Sequence, residues 1–357
     1  MHTHYNEVIP IEARRGALGD QMKVLASILM LGVLGCSIPV QVSLFAQATA
    51  TPSPTAAPTA VPPTPTAPLG TEQNPLVVAL PPSARPQGDV LTAGNTLRAL
   101  LKKNTGYEFV SVIPPSEIEL IKGFGSGDAH IASLSPFGYL LASGQGDAEA
   151  AFAREQDGQI FYGSELIASA DLGYLPYFDR VEQANTAEAN IALAQFEDKK
   201  PCWTDPFSAS GYVIPLGTLK KAGVETREPA FLAGHPALVR ALYAGGICDF
   251  GGTYVDARLY PGLEDALPEV TKRIVVIWRI APIIPYETLV FSRDLPVEMR
   301  RLLTRTFVDL MQTPEGKAAI QTLYGFNAMQ IVSDGQYEDF RAAVQASGLD
   351  LRALIER

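Results

Sequence analysis

Residues 48–70, ATATPSPTAAPTAVPPTPTAPLG, hold seven prolines and no charged side chain. They divide the chain into an address and a part that can fold. A segment of this composition has too little to bury for a core and favours extended polyproline geometry, so it reads as a semi-rigid spacer. The packing must therefore come from residue 74 onward. Apolar residues make up 47% of the chain and charged residues 18%, ordinary proportions for a globular protein. At 357 residues the chain has room for two folded units.

Before the spacer, Met22-Lys23 is followed by residues 24–46, an apolar run with no charge and long enough to span a bilayer. Its first half has the form of a secretory signal, and Val33-Leu34-Gly35-Cys36 resembles a bacterial lipobox in which Cys36 would carry the lipid. Cleavage after Ala48, at Ala46-Gln47-Ala48, and retention of the run as an N-terminal membrane helix are the alternatives. Residues 1–21 read as an extension, with Met22 as an alternative start, and residues 22–47 as the signal or anchor. All three outcomes export the remainder of the chain, to the periplasm or the outer face of the cytoplasmic membrane. Lipid anchoring is the expected one.

A net charge of −10 argues against a nucleic-acid groove or a polybasic membrane surface. Three cysteines are too few for a disulfide scaffold, and two of the four histidines precede residue 5, so no metal site or cofactor is expected.

After residue 74, apolar runs alternate with helical patterns. Residues 76–80 (LVVAL), 107–113, 128–134, 159–168, 200–204, 247–251, 274–278 and 289–292 read as strands. Helices are expected over 91–103, from the capping pair Ser116 and Glu119, after Pro136, over 236–244 and 296–311, and from Thr313-Pro314-Glu315. The alternation implies an α/β fold with a largely parallel sheet. In such sheets ligands bind beyond the carboxyl ends of strands, which singles out residues 81–85, 114–116, 134–139, 204–212, 250–256 and 279–288.

Residues 200–223, KPCWTDPFSASGYVIPLGTLKKAG, are the most informative. A short strand runs into a loop with Ser208, Ala209, Ser210 and Gly211. A helical tract from Tyr212 then ends in Lys220-Lys221-Ala222-Gly223, a good C-terminal signal. The opposite end carries free N–H groups and partial positive charge, where an oxyanion can sit without a basic residue. Ser208 or Ser210 acting only as a helix cap is the plainer alternative. Pro215 inside the tract makes an irregular first turn the expectation.

The order of segments resembles the phosphate, phosphite and phosphonate substrate-binding proteins of ABC transporters, the PhnD-like family. The matching stretches are NPLVVALPPS, GDAHIASLSPFGYLLA, DPFSASGYVIP, GHPALVRALYAGGICDFGGTYVDAR, VVIWRIAPIIPYETLVFSRDLP and TPEGKAAIQTLYGF. The resemblance implies a type II periplasmic-binding-protein fold: two α/β lobes, two hinge crossings and a ligand cleft. Lobe one would combine residues 74–167 and 279–357, and lobe two would be 168–278, with residues 48–73 as linker. The chain would act as a monomer, with a small oxyanion as ligand and a membrane permease as partner.

Where the family reads S-T-S-G, this chain has Ser208-Ala209-Ser210-Gly211, one hydroxyl fewer. These residues with Tyr212 would grip the oxyanion from lobe two, and Ser135 and Tyr139 would reach it from lobe one. His235 matches a family G-x-H position and would donate to the anion or cap its helix. Asp249 and Asp256 are candidates for accepting a ligand amine, or are structural. Tyr254, like Tyr139 and Tyr212, would line the pocket or pack in the core. In an exported chain Cys202 and Cys248 would pair as a disulfide, or remain buried thiols.

Two other functions fit parts of the sequence. A tethered ligand sensor would have the same fold. An exported serine hydrolase would draw on Ser208, His235 and Asp249, although no G-x-S-x-G elbow surrounds either serine.

Overall fold

The computed structural model describes residues 67–82 and 88–356. Cys36, the apolar segment around it and the linker up to residue 66 lie outside the described residues.

The strands in chain order are β1 (Leu76–Ala79), β2 (Phe109–Val112), β3 (Ile131–Leu134), β4 (Ala148–Glu155), β5 (Phe161–Ser169), β6 (Phe178–Asp179), β7 (Ala184–Asn185), β8 (Pro201–Trp203), β9 (Ala230–Phe231), β10 (Phe250–Tyr254), β11 (Ile274–Pro285), β12 (Thr288–Ser292) and β13 (Ala328–Ile331). The helices are α1 (Gly88–Thr105), α2 (Glu117–Ser126), α3 (Pro136–Gln145), α4 (Ala189–Ala192), α5 (Ile214–Lys221), α6 (His235–Ala244), α7 (Leu263–Ala266), α8 (Val270–Arg273), α9 (Val297–Met311), α10 (Pro314–Tyr324) and α11 (Glu338–Ser347).

They build two larger sheets, a six-stranded one in the order β13-β4-β12-β3-β1-β2 and a five-stranded one in the order β11-β5-β10-β8-β9, while β6 and β7 form a small hairpin. The chain leaves the first sheet after β4, builds the second and returns at β12. That gives two α/β lobes joined by two passages. Each sheet is mixed rather than largely parallel. β1 pairs in parallel with β2 and β3, and β8 with β9 and β10. β12 runs antiparallel between β3 and β4, and β5 runs antiparallel between β10 and β11. β5 and β12 are the strands on which the chain enters each sheet from the other, and β13, at the edge of the first sheet, also pairs antiparallel with β4. A strand that enters from the neighbouring lobe runs against the local βαβ direction.

Local sequence explains the element ends. Ser116 caps α2 by accepting the Glu119 N–H, Thr313 caps α10 by accepting the Gly316 N–H, and Pro follows the cap of both α3 and α10. Apolar cores cover both faces of the first sheet. One contains Leu97, Leu101, Leu289, Phe307 and Ile320, the other Ile121, Phe124, Leu140 and Phe340. The second sheet buries Trp203, Phe196 and Phe250 on one side and Ile167, Leu238 and Val276 on the other. The C-terminal helix α11 packs tightly on α5: a methyl at Gly217 would lie 2.1 Å from the Ala343 carbonyl oxygen, and Lys220 donates to the Ser347 carbonyl at 2.7 Å.

Cys202 in β8 and Cys248, just before β10, are joined by a disulfide with their Cα atoms 5.7 Å apart and 46 positions apart in sequence. The bond ties two neighbouring strands and removes conformational freedom from the unfolded chain. Replacing both cysteines by alanine is expected to lower the free energy of unfolding by about 2–5 kcal/mol. Urea denaturation of the two proteins checks this, and equal midpoints would count against it.

Candidate functional site

β8 ends at Trp203, and the chain then turns through Thr204 and Asp205 to Ser208. Ser208 has extended backbone angles, and its hydroxyl accepts the Gly211 N–H at 3.0 Å. Residues Ala209–Val213 form a wide π-type turn in which the Val213 N–H donates to the Ser208 carbonyl at 3.0 Å, and α5 follows. Pro215, with no N–H to give, sits in the first turn of α5. The expected irregularity is therefore real, and it falls at the position where single wide turns often mark functional sites.

The turn is fixed from beneath. The Ser164 hydroxyl donates to the Ser210 carbonyl at 2.7 Å. Ser210 is only 4% exposed, and its hydroxyl pairs with the Tyr162 phenol, which burial pushes up to about 12. Gly211 has no room for a side chain: a Cβ there would lie 2.0 Å from Thr204 Oγ1 and 2.8 Å from Ser208 Oγ. Thr204 is 1% exposed, and its hydroxyl has no hydrogen-bond partner. Tyr212 packs edge-on against Phe231, with ring centroids 5.0 Å apart, and tilted against Trp203.

β9 and β10 bring further residues to the same edge. His235 opens α6 just beyond β9, its Nδ1 lies 2.7 Å from Thr253 Oγ1, and its ring stands 4.6 Å from that of Tyr254. Burial pushes the imidazole down to about 4 against a smaller opposing effect of Asp205, so the ring is neutral at pH 7. Tyr254 ends β10. Asp256, two residues on, gives both carboxylate oxygens to Arg258, which is itself buried. Burial alone would raise the Asp256 carboxyl, but the Arg258 hydrogen bonds and charge outweigh it and hold it below the usual range. Opposite Thr253 on β5 stands Glu165, fully buried, with Arg279 Nη2 3.2 Å away. Burial first, then the neighbouring Asp256, pushes Glu165 up to about 8.

The structure thus gathers Ser208, Ala209, Ser210, Gly211, Tyr212, His235, Tyr254 and Asp256 at the carboxyl edge of the second sheet. Asp249 is not there. It precedes β10, at the other end of the strand, where it accepts the Lys200 N–H at 2.7 Å and pairs with Arg227. Ser208, His235 and Asp249 are therefore not wired as a triad.

On the first lobe, Ser135 caps α3 beyond β3 and donates both its N–H and its hydroxyl to Glu117. Tyr139 is fully buried and donates to Asp334 at 2.5 Å; burial and then that hydrogen bond raise its phenol. A cavity of about 470 Å³ opens beside the far half of α5, lined by Thr218, Lys221, Trp278 and Asp339. It meets the carbonyl end of the helix, which is the wrong pole for an anion.

Sequence reasoning missed Thr204, Tyr162, Ser164, Glu165 and Glu117 as individual residues. Glu165 did leave a signal, since a lone acid inside an apolar strand (FYGSELIAS) requires a buried partner.

Residues 81–337 match the family described as ABC transporter, phosphonate, periplasmic substrate-binding protein. The phosphate-import protein PhnD of Mycolicibacterium smegmatis is 28% identical over 182 residues, 47% of this chain and 51% of that protein. The match thus spans about half the length of that relative. Among solved structures, XAC2383 from Xanthomonas citri bound to ATP superposes with a TM-score of 0.53 at 12% identity, covering 79% of this chain and 99% of that one. The same protein bound to chloride gives 0.51 at 13% identity, covering 78% and 98%. These likenesses are of fold.

The buried neutral His235 makes a test of the site's electrostatics. Between the ordinary histidine value of about 6.5 and the folded value of about 4, the unfolded chain binds a proton that the folded chain refuses. Stability is therefore expected to fall as pH drops through that window, by about 1–2 kcal/mol after allowance for partial exposure. Urea unfolding of the ligand-free protein at a series of pH values reads this slope. His235→Asn should flatten it, and an unchanged slope would assign it to other groups.

Proposed function

Because this chain belongs to the phosphonate periplasmic substrate-binding family of ABC transporters, we propose that it is the extracytoplasmic binding component of an importer and captures a small oxyanion: a phosphonate, phosphite or phosphate. Its fold is the type II periplasmic-binding-protein fold, two α/β lobes with two passages of chain between them. The lobes close on the ligand, expel water and so strengthen the hydrogen bonds within. The closed form is what a membrane permease recognises. The chain works as an exported monomer held at the membrane by a lipid on Cys36, with the proline-rich segment as its tether.

What supports this is the turn at residues 208–213. Its amides stand at the positive end of α5, and serine hydroxyls at 208 and 210 flank them. Beside it is a neutral His235 that can donate one N–H without bringing a charge of its own. Ser208, Ser210, the N–H groups through Tyr212 other than that of Gly211, which Ser208 holds, and His235 grip the anion from the second lobe, and Tyr254 walls the site. The phosphate-import role of the Mycolicibacterium relative and the family description agree with this chemistry.

Titration calorimetry with methylphosphonate, phosphite and phosphate is expected to give at least one dissociation constant of about micromolar or tighter. Ser210→Ala should weaken that binding by about 1–3 kcal/mol, the cost of leaving a buried charged group short of a donor. Silence across the panel would overturn the ligand class. An unchanged affinity would remove Ser210 from the site.

A further inference from the structure

A buried hydroxyl that makes no hydrogen bond stands beside the turn at residues 208–213. Thr204, the first residue after β8, is 1% exposed, and its Oγ1 has no partner among the described residues. Its backbone is fastened to the turn, with the Thr204 N–H donating to the Gly211 carbonyl at 3.2 Å. Its side chain lies against Gly211, where a Cβ would stand 2.0 Å from Thr204 Oγ1 and 2.8 Å from Ser208 Oγ. The two hydroxyl oxygens thus flank one point. Ser208 is half-buried and its Oγ accepts the Gly211 N–H at 3.0 Å, which leaves a second lone pair and its own proton to be used. A buried hydroxyl without a partner lowers stability, and valine has nearly the shape of threonine without that defect.

We propose that Thr204 is a positioning residue of the oxyanion site, and that its unused proton is held for Ser208. The inference rests on the oxyanion-binding function proposed above. When a bound anion accepts the Ser208 O–H, the Ser208 oxygen becomes a stronger acceptor in its turn. Thr204 then turns its hydroxyl onto the second lone pair of Ser208 Oγ. Thr204 donates to Ser208, Ser208 donates to the anion, and each hydroxyl polarises the next. With one lone pair taken by the Gly211 N–H and the other by Thr204, Ser208 can only donate to the ligand. In the ligand-free chain the Thr204 hydroxyl stays idle, a loss of stability that serves binding.

Two measurements on the full chain test this, titration calorimetry with methylphosphonate, phosphite and phosphate, and thermal unfolding without ligand. Thr204→Val should weaken the tightest of the three by about fivefold or more and, in the same protein, raise the midpoint of unfolding. Thr204→Ser keeps the hydroxyl and should bind within about twofold of the parent. A threonine that serves only the ligand-free fold would give the reverse for valine, a lower midpoint with affinity kept. Because Thr204 acts through Ser208, Ser208→Gly, a change that helix starts tolerate, should weaken binding by itself and leave Thr204→Val less than about a twofold further effect. The inference is overturned, with the binding function left standing, by any of four results: Thr204→Val binding as tightly as the parent; Thr204→Val failing to fold or unfolding no higher than the parent; Ser208→Gly binding unchanged; or the two losses simply multiplying in the double variant. Binding of none of the three anions by the parent chain would overturn the function itself and this inference with it.

Discussion

The site depends on one local geometry, the wide turn between Ser208 and Val213. An ordinary α-helical start would bond the residue 213 N–H to the carbonyl four positions back, at residue 209. Here the ladder is opened by one residue, with the Val213 N–H bonded back to the Ser208 carbonyl. That opening is held from several sides. Ser208 takes the Gly211 N–H, Ser164 holds the Ser210 carbonyl, and Gly211 lies against Thr204 where no side chain could fit. Behind the turn, α5 is pressed onto α11 at Gly217 and Ala343. The turn is therefore fixed by the fold itself, and on the binding role proposed above its donors would lose little entropy on binding. With a net charge of −10, the distant field of the protein does not draw anions in. On the proposed role, affinity for one would have to come from short-range dipoles such as these.

Beneath the same edge lies a layer of buried charge. Arg258 is enclosed by Asp256 and the Ile274 carbonyl, and Arg279 spans Glu165, Gln183 and the face of Phe178. Burying such groups costs several kcal/mol per ion, on the order that a close partner can offset. Glu165 takes Arg279 on one oxygen and lies beside Asp256, and burial first, then Asp256, pushes it up to about 8. The layer links β5, β10 and β11 through side chains as well as through the backbone ladder.

How much of this could be read in the sequence depends on the range of the forces involved. Strands such as LVVAL were legible because burial on both faces leaves an unbroken apolar run. β4, AEAAFARE, was not, because it carries Glu149, Arg154 and Glu155 at its ends and small alanines within, and only its neighbours β12 and β13 make it a strand. The same holds for β9, two residues long, and for α11, whose place is decided by α5. At the site, the helix dipole was legible from SASG at one end and KKAG at the other. The wide turn was foreshadowed only by Pro215. The Thr204 and Glu117 contacts depend on glycines approached by side chains from elsewhere in the fold, and no local pattern encodes that approach. Asp249 illustrates the reverse. The family resemblance made it a candidate for accepting a ligand amine, but the strand begins after it, and its carboxylate serves the Lys200 N–H and Arg227 instead.

The two lobes build the same device and fill it differently. In each, a serine after a parallel strand caps a helix by accepting the N–H of a glycine three residues on, Ser208 with Gly211 at 3.0 Å and Ser135 with Gly138 at 3.1 Å. In each, the glycine is required because another side chain occupies the place of its Cβ. At Gly211 that side chain is Thr204, a neutral hydroxyl with an unused proton. At Gly138 it is Glu117, a carboxylate that consumes the donors. The filling group therefore differs in kind: a buried hydroxyl stands beside the helix start that follows β8, and a carboxylate bonded to the capping serine beside the one that follows β3.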